Sequence, residues 1–156
     1  MGAAFFAAGQ NDEALAAVQP LADAGDAAAR LLRAQVLART GHWPDALALF
    51  QDLAAPADAP ASAQLGLAES HAALGQTAEA VAVLEAFVRG HPQSTAAPLR
   101  LAGLLLETGD ATRARAVLDA VPANVAEDAP WRKYLEGRLL LAERQFAPAL
   151  AFFGSC

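Results

Sequence analysis

Apolar residues in this chain recur at the spacing of a helix face. Leu31, Ala34, Leu37 and Ala38, then Leu65, Ala68 and Ala72, follow the i, i+3, i+4, i+7 template, and no stretch keeps the two-residue alternation of a half-buried strand for long. The pattern predicts helices over residues 3–8, 11–24, 27–40, 43–54, 61–73, 77–89, 95–108, 111–120, 129–142 and 146–153. Asn11, Asp26, Asp110 and Asp128 stand where side-chain oxygens can accept orphan amides as N-caps. Pro44, Pro98 and Pro148 fall in first turns, where a missing N–H does no harm. Gly41, Gly75 and Gly109 suit the left-handed conformation that ends a helix sharply. Pro20 falls deep inside a helix and predicts a kink or an early end there.

The punctuation is periodic. Gly41, Gly75 and Gly109 are spaced by 34 residues; each is followed five residues later by an alanine (Ala46, Ala80, Ala114) and preceded by seven residues by another (Ala34, Ala68, Ala102). Two helices cross closely only where the side chains at the crossing are small, so Ala34 with Ala46, Ala68 with Ala80, and Gly137 with Ala149 read as the contacts inside successive helix pairs. The register extends to Gly2, Gly9 and Ala14 on one side, and on the other to Gly137 and Ala149 around Arg144, which stands where the turn glycine should be. Five repeats result, about four of them complete, each burying its apolar face against its neighbours. Residues 54–60, 90–94 and 121–128 join repeats and none reads as a domain linker, so residues 1–156 form one domain.

These residues resemble the tetratricopeptide repeat, a 34-residue helix-turn-helix unit. With Gly41, Gly75, Gly109 and Arg144 at position 15, position 24 holds Phe50, Leu84, Leu118 and Phe153, and position 27 holds Leu53, Phe87, Val121 and Cys156. Position 17 is aromatic at Trp43 and Phe146 but not at Thr77 or Ala111, and position 32 is proline only at Pro92. The resemblance implies an all-α, right-handed superhelical solenoid whose first helices line a concave groove. It also implies which residues meet a partner: Leu31, Gln35, Leu65, Glu69, Leu99, Arg100, Leu106, Trp131, Tyr134 and Arg138. The expected role is a protein-interaction scaffold that takes a peptide or helix of a partner protein in that groove. The alternatives are a substrate-recruiting arm of a larger enzyme, or a self-association module. One subclass of the family grips a C-terminal carboxylate with basic and asparagine residues at set positions; of the residues standing there in this chain, only Arg100 fits.

Charge narrows the partner. The net charge is −6 and Lys133 is the one lysine, which argues against a phosphate backbone and hence against nucleic acid. Arg113, Arg115, Arg132, Lys133, Arg138 and Arg144 gather in the C-terminal third and read as an ordinary solvated helix surface. Catalytic and metal constellations are absent: His42, His71 and His91 lack helical pairing and cysteine partners, and Ser70 and His71, being adjacent on a helix, diverge by about 100°. His71 stands where other repeats carry Phe5, Leu37, Leu105 and Leu140, and reads as a packed histidine. The sequence therefore predicts no enzyme, no cofactor and no metal. It also predicts no membrane insertion, because polar residues interrupt every long apolar run, and Met1–Ala8 lacks the basic start of a signal peptide. A single cysteine gives no disulfide framework and is compatible with a reducing, cytoplasmic setting. Both ends read as cut from a longer repeat protein, with uncapped faces through which the chain would self-associate.

Overall fold

The computed structural model describes residues 11–56, 58–121, 129–146, 148 and 150. Among them the chain forms eight helices and no strand: α1 (Asn11–Asp23), α2 (Ala27–Arg39), α3 (Trp43–Ala54), α4 (Ala61–Ala73), α5 (Thr77–Gly90), α6 (Ala96–Glu107), α7 (Ala111–Ala120) and α8 (Ala129–Ala142). It is an all-α helical repeat solenoid. Helices α2, α4, α6 and α8 open successive repeats and are called A helices below; α3, α5 and α7 follow them as B helices. Every boundary falls within one residue of the sequence expectation. The expected helix at 3–8, the caps at Asn11 and Asp128, the anchor Ala149 and most of 146–153 lie outside the described side chains or residues.

The caps explain where the helices start. Asp26 accepts a hydrogen bond from the Ala29 amide at 2.8 Å, Asp110 accepts one from the Arg113 amide at 3.0 Å, and Pro44 sits in the first turn of α3. The stops share one hydrogen-bond frame. At Gly41 the glycine amide donates to Ala38 at 3.1 Å and the next amide, His42, to Leu37 at 2.9 Å, the pair of bonds that closes a Schellman turn. The same pair recurs at Gly75, Gly109 and Arg144, and at Gly25 between α1 and α2. Backbone φ is +80° at Gly41, +74° at Gly75 and +81° at Gly109.

Of the two outcomes expected at Pro20, an early end does not occur: α1 runs on to Asp23, in keeping with the predicted span 11–24. Pro20 and Ala16 both lie on the exposed side, where a carbonyl that loses its amide partner can be solvated.

The chain packs into two compact units, residues 1–83 and 84–156, with the division falling inside α5. In the first unit α1 packs on α2, α2 on α3 and α3 on α4, and α2 also meets α4. Val18, Ala22 and Ala29 form a small cluster with Leu32, while Ala34, Ala46, Phe50, Leu53 and Ala63 form a larger one ringed by Leu31, Leu37, Leu49 and Leu67. Ala34 and Ala46 are fully buried, as the crossing requires, and so are Ala68 and Ala80 within rounding. Gly66 fits here for a steric reason: a Cβ at that position would stand 2.4 Å from the Phe50 ring. In the second unit α6 packs on α7, and both pack on α8. Ala102 and Ala114 are buried there together with Leu101, Leu105, Leu118, Leu135 and Leu139.

Candidate partner-binding surface

On α8, Trp131, Tyr134, Arg138 and Leu141 stand at i, i+3, i+7 and i+10 and share a face, and the adjoining stripe supplies Leu135 and Leu139 to the core. Trp131 is 46% exposed and Tyr134 44%. Their rings stack, with centroids 5.1 Å apart and planes 22° from parallel, and the Arg138 guanidinium lies over Tyr134 at 5.8 Å from its centroid. Gly103 on α6 faces the indole: a Cβ there would lie 3.7 Å from Trp131 Cζ2. Ala96, Leu99, Arg100 and Trp131 line a cleft of about 380 Å³ beside this stack.

Two expected partner residues do not belong to an open face. Leu99 is 1% exposed and Leu106 is also buried. Both belong to α6, which packs on α7 and α8. At the same repeat position as Leu99, Tyr134 stays open.

In the first unit, Gln35, Leu65 and Glu69 line a separate cleft of about 420 Å³ together with Trp43, Phe50 and Gly66. Leu31 is half-buried against the core cluster. The sequence reading used Trp43 only as a repeat signature and missed that its indole forms a cleft wall. A third cleft, of about 480 Å³, lies in the second unit among Val88, Pro92, Pro98, Val117, Ala120 and Val121. Pro92 and Val121 stand at repeat positions 32 and 27, but the periodicity marks them as repeat signatures and not as the lining of a cleft.

Among the described residues, three of the six basic residues of the C-terminal third are paired. Arg113 bonds Glu85 and, at 3.3 Å, Asp110; Arg115 Nε donates to Glu143 at 2.7 Å; Arg132 Nε donates to Glu136 at 2.8 Å. The hydrogen bond from Arg115 holds the Glu143 carboxyl below its ordinary range and raises Arg115 in turn. Glu85, ahead of Asp110, raises Arg113.

The histidines serve packing. His71 is buried and hydrogen-bonded to the Gln76 side chain at 2.7 Å, as a packed histidine should be. His42 lies 2.9 Å from Thr40 Oγ1, and His91 stacks on Phe87 with centroids 4.1 Å apart. The Ser70 hydroxyl donates to the Gly66 carbonyl at 2.8 Å. Among the described residues no group of three or more His, Cys, Asp or Glu could hold a metal ion, and no helix is long and apolar enough to cross a membrane.

Family models described as tetratricopeptide repeat match residues 1–63 and 71–139, most of the chain between them. Solved structures are similar over 99% of the chain. A tetratricopeptide repeat protein from Parabacteroides merdae has a TM-score of 0.83 at 14% identity, and this chain spans 62% of its length. A thermophilic repeat protein of the same kind from Thermus thermophilus has a TM-score of 0.75 at 23% identity, with 85% of that chain covered. MamA protein has a TM-score of 0.80 at 15% identity, again with 85% of that chain covered. At such identities the likeness is one of fold. No curated protein matches the chain in sequence.

Proposed function

The chain belongs to the tetratricopeptide repeat family, and we propose that it is a scaffold that holds a peptide or helix of a partner protein on its A-helix faces, with Trp131 and Tyr134 as anchors. Repeats of this family generally mediate protein–protein interaction, and the fold is typically a non-catalytic scaffold. One observation carries the reading: two large aromatic rings stand nearly half exposed and mutually stacked on α8. Rings of this kind are the commonest hot spots of protein interfaces, because they bury much area with little loss of side-chain freedom. The clefts beside Trp131 and around Leu65 offer places for partner side chains.

The test is affinity capture with the full chain, repeated with a Trp131→Ala/Tyr134→Ala double variant and with Arg113→Ala on the B helix α7. Loss of a captured protein in the aromatic variant and its retention in Arg113→Ala is the expected result, with each hot-spot truncation costing about 2 kcal/mol or more. Retention in the aromatic variant and loss in Arg113→Ala would move the site to the B-helix side.

A further inference from the structure

Resting on the reading of the α8 face as the docking surface, the geometry points to what docks there: an extended partner segment with an aliphatic side chain and a carboxylate about three residues apart. Arginines in this chain are, where their partners can be named, neutralised locally. Arg30 reaches Asp52 at 2.8 Å, Arg33 reaches Asp23 at 3.6 Å, and Arg113, Arg115 and Arg132 each hold a glutamate. Acids outnumber bases by 17 to 11, so a carboxylate is the commonest partner at hand. Arg89, Arg138 and Arg144 have no such partner among the described residues, and of these three only Arg138 is withdrawn from full exposure. It is half-buried against the Tyr134 ring, and among the described residues it pairs with no carboxylate. A guanidinium over an aromatic face keeps its N–H groups in its own plane, a fork that takes a carboxylate through two parallel hydrogen bonds. The contact with Tyr134 orients that fork before anything binds.

The apolar half of the site lies at the other end of the same stack. Trp131 walls the cleft together with Ala96, Leu99 and Arg100, so an entering side chain meets an indole and aliphatic carbon, with one guanidinium at the wall. Cleft, rings and cation therefore follow one another along α8. The rise from residue 131 to residue 138 is about 10 Å at 1.5 Å per residue. An extended chain covers the same distance in about three residues. That match sets the spacing of aliphatic group and carboxylate in the segment.

Display of random twelve-residue peptides, selected on the full chain, tests this directly. The enriched peptides are expected to share an aliphatic residue and an Asp or Glu about three positions apart. An enriched peptide is then labelled and its affinity measured by fluorescence polarisation, alongside a version with its acid changed to the amide. Arg138→Gln should weaken the acidic peptide on the order of tenfold and leave the amide version unchanged, because only a charged, hydrogen-bonded pair is lost. Arg138→Lys, which keeps charge and helix propensity but not the fork, should fall between. Peptides that need Trp131 yet carry no acid, or ignore Arg138→Gln, would overturn the partner chemistry and leave the docking face standing. Peptides indifferent to Trp131→Ala, or no enrichment at all, would overturn both.

Discussion

Arg144 holds φ at +61°, a conformation that L residues avoid at roughly 1–2 kcal/mol, with the same two hydrogen bonds around it that surround the turn glycines. The turn is thus specified by its bond frame, and glycine only makes it inexpensive. No atom stands within 4 Å of a Cβ built at Gly75, so Gly75→Ala isolates the backbone effect. We expect it to lower unfolding stability by about 1 kcal/mol in a urea titration, while Arg144→Gly raises it by up to about 1 kcal/mol. Gly66 is the opposite case. Its backbone is ordinary helix, yet a methyl group there would press into a Phe50 ring that is itself buried. Overpacking of about 1–3 kcal/mol should outweigh the gain of up to about 1 kcal/mol that alanine brings to a helix, so Gly66→Ala should melt earlier.

Between helices, the crossings depend on residues too small to be seen in hydropathy. Ala68, which the register assigns to a helix crossing, is 2% exposed, and Ala68→Leu should cost about 1–3 kcal/mol; an unchanged melting midpoint would refute the 34-residue register. The tie between α7 and the end of α8 carries a pH signature. Because Arg115 depresses the Glu143 carboxyl, its contribution is fully present above the ordinary carboxylate range and is lost as pH falls through the depressed value. A carbon-detected titration should find Glu143 below the usual glutamate midpoint, returning to it in Arg115→Gln. Helix positions, caps and crossings were legible in the sequence because each is set by a local spacing: a glycine, an alanine seven residues before and five after.

For the whole molecule, the unequal parts of the chain matter most. Residues 1–83 hold nine acids and three arginines, whereas residues 84–156 hold eight acids against seven arginines and one lysine, so all the net charge belongs to the first unit. The repeat register identified which positions could meet a partner. It could not foresee that Leu99 and Leu106 would be buried on α6, while Tyr134, at the same repeat position of α8 as Leu99, and Trp131 would stay open. That is a property of each helix's neighbours and is invisible to a periodic pattern. The two tryptophans divide the same way, Trp43 half-buried in a cleft of the first unit and Trp131 facing water in the second. The protein thereby carries one fluorophore in each unit. Emission from Trp131 should lie to the red of that from Trp43 and be quenched first by acrylamide, so a Trp43→Phe variant would report optically, through a blue shift, the moment a ligand covers the α8 face.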